Sequence, residues 1–470
     1  MFEVLQEVSH WLVTDENPPR DVDGMDHERC AALHNAIFKH GWICSGRDAE
    51  DFLPQSLPYL GLDPHLAQDG LLHPSVLAFL RSARALPADH QVHFFYNVAG
   101  LNLDYGGHDY CFPDSDHTLT LYGCYPEHAG QPDGLVYDQD MHKAIMHFDR
   151  TDELTPEQPW QWLESILTVW IEMIQRQKIV ALPADVGKVS YENVADGGVR
   201  RVEGPPRDPA TGAKRLEFAM EPWTIVPWAT QDLEESLKLW GMVVVSIEQE
   251  MGLGESEQFD TVLDTATLDR ARVPDGFARD FLSQARKPRF TFIAPGLRVP
   301  TQSDFATQPF LDQDREPANE DELPAILLFR SEALVSTRQL FWFGFRPSNP
   351  PLECPGGLYL NPCDRSYRYP QEDGCNLLLP FELTSGWARK SDHSSASQRD
   401  DLLQSGVNPY NDLHPVQLQA FLETVYRCVE DGRWEVDESG VADGIDKWRD
   451  ADTGHGWADY FLPLGPGKYW

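Results

Sequence analysis

The sequence predicts an α+β protein with a mostly antiparallel sheet and several packed amphipathic helices. Two observations carry that expectation. Short apolar runs bounded by Gly, Pro, Asn and Asp recur at 91–98, 118–122, 289–293, 325–329, 340–345 and 376–383, as strands do. Regular helices do not separate them, so the alternation that marks a doubly wound parallel sheet is missing and neighbouring strands should pair antiparallel.

The clearest helix is expected at about 156–178, with Thr155 as N-cap and Pro156 in the first helical position. On a helical wheel Gln161, Glu164, Ser165, Thr168, Glu172, Gln175 and Arg176 form one polar stripe. The opposite arc holds Trp160, Trp162, Leu163, Ile166, Leu167, Val169, Trp170, Ile171, Met173 and Ile174, so this helix should be nearly buried. Three others follow from the same reasoning. One spans 25–40 and stops before Gly41; one spans 231–251, with Leu233, Leu237, Trp240, Val244 and Ile247 on one face; one spans 415–429, begun by Pro415 and closed by Gly432. The run from Phe341 to Phe345 is bulky on both faces and reads as a central strand.

With 470 residues, 41% of them hydrophobic and 14 of them Trp, the chain can bury an extensive core. Three regions are expected: a His-rich N-terminal region over 1–150, a main α+β core over 151–435 and an acidic C-terminal tail over 436–470. The stretches 199–214 and 311–323, rich in Pro, Gly and charge, read as exposed connections.

The 75 acidic and 38 basic side chains give a net charge of -37. Phosphate backbones and anionic lipid surfaces both reward clustered Lys and Arg, so neither nucleic acid nor membrane is an expected partner. The N-terminus lacks a secretory or mitochondrial pattern, and the eight Cys show no CxxC spacing, which together point to a cytoplasmic protein with reduced thiols.

Motifs that would announce a chemistry are missing: there is no GxGxxG after a strand, no GxxxxGK[ST], no GxSxG and no HExxH. Histidine is the uneven residue. Of 16 in the chain, 13 lie within residues 1–147. The richest cluster holds Asp140, His142, His147 and Asp149, residue types that serve as general acids and bases and as ligands of zinc or ferrous iron. If 145–149 is a strand, His147 and Asp149 share a face; the expected metal set is His142, His147 and Asp149, with Fe or Zn as the metal. His27, Cys30 and His34 share a helical face as a second candidate set, against which stands a half-buried packing stripe. Tyr105 to Asp116 reads as a Gly/Asp turn region.

The closing segment from Gly440 to Thr453, with the terminal Tyr469 and Trp470, resembles the tails of uncharacterised cytosolic proteins of filamentous fungi. The resemblance covers about thirty residues of sequence and carries no activity with it. Two function classes follow from the residues. One is a metal- or acid/base-dependent enzyme acting on a small molecule; the other is a non-catalytic binding or interaction protein with an acidic surface.

Overall fold

The computed structural model describes residues 2–62, 70–87, 92–104, 117–124, 134–147, 155–183, 190–193, 199–202, 221–254, 260–311, 322–337, 352–365, 371–411 and 415–468. Its first half contains α1 (His27–Cys44), α2 (Pro74–Ser82), β1 (Val98–Asp104), β2 (Thr118–Cys124), β3 (Gly134–Asp138), β4 (Lys143–His147), α3 (Leu163–Gln175) and β5 (Ile179–Ala181). β1 to β4 form an antiparallel meander, and α1 packs on α3 beside it.

The second half begins with β6 (Trp223–Ile225), which pairs back on β5, and continues through α4 (Thr230–Glu250) and α5 (Phe277–Gln284). Then come β7 (Phe292–Ala294), β8 (Leu297–Arg298), β9 (Ile326–Ser336), β10 (Glu353–Leu360), β11 (Cys375–Leu378), α6 (Leu418–Glu430), β12 (Val436–Asp437) and β13 (Gly440–Val441). These strands make one sheet in the order β11-β10-β9-β8-β7-β13-β12, antiparallel throughout except where β7 meets β13. The protein is thus α+β with mostly antiparallel sheets.

Two large apolar clusters hold these halves. One runs from Leu5 to Ile225 and recruits Tyr410; the other runs from Leu233 to Leu462. The division of packing therefore falls between 225 and 233 rather than at 150. The segment 436–470 is no separate tail: Val441, Trp448, Ala451, Tyr460 and Leu462 are core residues, and the Trp448 indole donates to the Pro295 carbonyl at 2.9 Å.

The most apolar helix begins later than its sequence indicates, at Leu163. The backbone of Gln161 instead exchanges two hydrogen bonds with Ala144 on β4, at 2.7 and 2.9 Å, which holds this stretch extended as far as the N-cap Trp162. Part of the expected polar stripe of α3 is dry as well: Glu164, Ser165 and Thr168 are buried. Thr168 accepts from the Val13 amide at 3.1 Å, and Glu164 takes a 3.6 Å contact from the Cys30 thiol. Burial raises the Glu164 pKa, so this carboxyl resists ionisation. α1 also runs on through Gly41 to Cys44, and Trp223 packs on that glycine so closely that a Cβ would lie 2.7 Å from its ring. The aromatic run from Phe341 to Phe345 lies outside the described residues.

Between the two clusters sits a buried ion triad. Lys178, just beyond α3, places its ammonium 3.1 Å from Asp232 at the start of α4 and 2.7 Å from Asp373 ahead of β11, and all three side chains are essentially inaccessible. Gln417 donates to the second oxygen of Asp373 at 3.1 Å, and the Ala229 amide donates to Asp232 at 2.9 Å. Burial works against the ammonium, but the two carboxylates outweigh it and hold the Lys178 pKa above its ordinary value. One cation cannot balance two buried anions. Burial and the nearby Asp232 accordingly raise Asp373 to about 6, against the partial opposition of Lys178.

Removing the cation should therefore hurt more than removing one anion. Lys178→Met is expected to destabilise the protein by about 3–5 kcal/mol, since two carboxylates would remain buried without a counter-ion. Asp232→Asn, which leaves a one-to-one pair and keeps an acceptor for the Ala229 amide, should cost about 1 kcal/mol. Urea denaturation of both variants checks this ranking, and equal costs would discard the charge-balance account.

Candidate metal centre

The candidate site lies where three segments of the N-terminal half meet. The first is 20–26, positioned by Arg29 on α1. This buried guanidinium donates to the carbonyls of Trp11, Leu12, Asn17 and Pro18 at 2.6–2.9 Å, folding the N-terminal strap against the helix. Asp26 caps α1 by accepting from the Arg29 amide at 3.2 Å and pairs with Arg20, so the strap reaches the helix with Asp23 exposed beside it.

The second segment carries His73, the N-cap of α2, with Pro74 in the first helical position. The His73 amide donates to the Gln139 side chain at 2.7 Å, and Gln139 in turn donates to the Leu71 carbonyl at 3.1 Å. Those bonds tie the start of α2 to the third segment, the turn between β3 and β4. There Asp138 accepts from the amides of Asp140 and Met141 at 2.8 and 2.7 Å. The turn closes with His142 in the left-handed region, at φ 56°, a conformation that costs a residue with a Cβ about 1 kcal/mol or more.

These ties bring Asp23, His73 and His142 together, with one potential ligand atom from each lying within 4.8 Å of the others. The imidazoles of His73 and His142 have centroids 4.8 Å apart. Ser75 braces the arrangement: its hydroxyl accepts from the Met25 amide at 2.9 Å and lies 2.7 Å from Nδ1 of His73, where it can hold that ring in one orientation. Nδ1 of His142 is buried with no hydrogen-bond partner among the described residues. Burial, reinforced by the neighbouring His73, lowers the His142 pKa against the pull of Asp23, Asp138 and Asp140, favouring the neutral imidazole that binds metals. Gly24 has φ 92°, and a Cβ there would stand 2.3 Å from the Ser75 hydroxyl and 2.6 Å from the His73 ring.

Of the residues singled out by sequence, only His142 lies in this cluster. Asp140 is exposed on the same turn and faces His117 at 3.6 Å. His147 is buried at the far end of β4, opposite Gly134; five extended residues put it about 16 Å from His142, so the two do not share a metal. Asp149 lies outside the described residues. Asp23 and His73 escaped the sequence reading, although His73-Pro74 is a recognisable helix start and Asp23-Gly24 a recognisable turn.

The face of His27, Cys30 and His34 is a packing stripe. His34 bonds through both ring nitrogens, to the Tyr122 hydroxyl and the Arg84 carbonyl, each at 2.8 Å, and stacks on Phe94 at 4.4 Å. Neither nitrogen is left for a metal. Burial pushes the His34 pKa down from 6.5 to about 4. The unfolded chain therefore binds this proton more tightly than the folded one, so His34 removes stability as the pH falls from 6.5 towards 4, by about 3 kcal/mol in all. Asp373 acts in the opposite sense, because its raised pKa favours the fold as the pH falls from 6 towards 3.8. In His34→Gln, urea titrations at pH 4 to 6.5 should show a fall in stability on acidification that is smaller than the parent's by about 3 kcal/mol; an unaltered pH dependence would count against this assignment.

Comparison with protein-family models, with curated proteins and with solved structures finds no match to this chain.

Proposed function

We propose that the protein binds a divalent first-row metal, zinc or ferrous iron, at Asp23, His73 and His142. The observation that carries this reading is the convergence of two imidazoles and a carboxylate from three segments distant in sequence. Two His and one carboxylate form the N/O donor set that holds non-haem iron and many zinc ions while leaving coordination positions open. Ligand atoms around a tetrahedral zinc stand about 3.3 Å apart, so closure asks for side-chain movements of about an ångström. Asp23 is exposed and can make them. The open positions would face solvent on the Asp23 side, where water or a small molecule bearing an oxygen or nitrogen donor can join the metal. What this chain contributes is orientation: Ser75 holds His73, the Asp138 turn holds His142, and Gln139 holds the two together.

Isothermal titration with zinc, and the visible spectrum of the cobalt-substituted protein, test the proposal. One metal per chain is expected, with a rise in Tm on binding. His73→Ala and His142→Ala should each weaken binding at least 100-fold, and Asp23→Asn about tenfold, while His455→Ala should leave it unchanged. A parent protein that takes up no stoichiometric metal would sink the reading. Gly24→Ala probes the same geometry without touching a ligand: its Cβ must displace His73 or Ser75, and a metal affinity at least tenfold lower is expected, measured by the same titration.

A further inference from the structure

The second notable site concerns the scarce cations. On a chain carrying -37 charges, four basic side chains from separate segments line one cleft of about 450 Å³. Arg176 comes from the end of α3, Lys238 from α4, Arg427 from α6 and Lys468 from the C-terminal segment. Among the described residues two acids, Glu235 and Glu423, line it with them, and the Glu172 carboxylate stands at its edge on the Gly467 amide. Glu235 is engaged by Arg176 at 3.2 Å. Arg427 directs one nitrogen to the Asp459 carbonyl at 2.8 Å, and among the described residues Lys238 and Lys468 form no ion pair, so these two ammonium groups are the uncompensated charges of the cleft.

The cleft is also built rather than incidental. α4 and α6 pack side by side to make its floor, and the C-terminal segment closes it, pinned where the Gly467 amide donates to both carboxylate oxygens of Glu172 on α3 at 2.9 and 3.0 Å. Leu239, Met242 and Leu462 add apolar surface among the charges. The volume falls within the range of small-molecule pockets.

We infer that this cleft is a binding site for a small organic phosphate, its phosphate facing the four basic residues and its carbon part resting on Leu239 and Met242. A phosphate monoester carries about two negative charges at neutral pH, which the two ammonium groups without an ion pair can meet, and guanidinium groups pair with phosphate oxygens in a bidentate manner. The overall negative field of the protein repels anions, so affinity must come from local contacts and not from long-range attraction.

Phenyl phosphate titrated calorimetrically into the full chain, in EDTA to keep metal out, is the direct test. Binding of one molecule per chain is expected, and Lys238→Ala/Lys468→Ala should lower its affinity at least tenfold; both side chains are exposed, so the fold is not at stake. His73→Ala/His142→Ala should bind phenyl phosphate as the parent does, which separates this site from the metal centre. No binding up to about 10 mM, or unchanged affinity in the double-lysine variant, would overturn the assignment. Inorganic phosphate or phenylacetate binding as tightly as phenyl phosphate would overturn the organic phosphate as ligand.

Discussion

The contact on which the two halves depend is the ammonium of Lys178 between Asp232 and Asp373. It joins the third residue beyond α3 to the first turn of α4 and to the chain just before β11, so the N-terminal cluster and the C-terminal cluster meet around a charge that neither could bury alone. A buried ion group of this kind adds little net stability compared with apolar packing, yet removing one member strands the others without solvent. Its value is therefore geometric: the halves are well matched only in the relative placement that closes the triad. β5 and β6 run directly beside it, and the Val226 amide donates to the Lys178 carbonyl at 2.9 Å, so backbone pairing sets the same register.

Within the N-terminal half, polar groups organise what the apolar core leaves open. Arg29 gathers four carbonyls of the N-terminal strap, and Gln139 and Ser75 cross-link that strap, the head of α2 and the β3–β4 turn. A buried carbonyl or amide left unpaired costs roughly 1–3 kcal/mol, so these side chains determine the path of the backbone. Asp23, His73 and His142 meet as a result of that path. The left-handed turn at His142 and the close approach at Gly24 are strained or selective features located where the three side chains converge.

The net charge divides unevenly between surface and interior. Several cations serve structure: Arg29 in the strap and Lys178 in the triad from inside, and Arg286 and the exposed Arg289 on the buried Glu248 at 2.6 and 2.7 Å. The group lining the cleft between α4 and α6 stands apart because Lys238 and Lys468 have no ion-pair partner among the described residues. In a chain this acidic, that concentration is where an anion would find compensation.

The α+β class, the amphipathic helices near 231–251 and 415–429 and the concentration of histidine in the first third were legible in the sequence, because periodicity and composition report local backbone preference and burial directly. His142 was legible too, as one member of a cluster rich in ligand types. Its partners were not, since Asp23 and His73 reach it through hydrogen bonds between segments some 50 to 120 residues apart in the sequence, and no local pattern encodes such a meeting. The same limit explains α3. Its composition identified an apolar helix, but only tertiary contacts decided that Gln161 would pair with β4, that Thr168 and Glu164 would be buried, and that Gly41 would admit Trp223 instead of ending α1. Sequence determined which residues could be buried or could bind; the folded chain decided which neighbours they acquired, because satisfying a buried polar group requires a partner that only folding supplies.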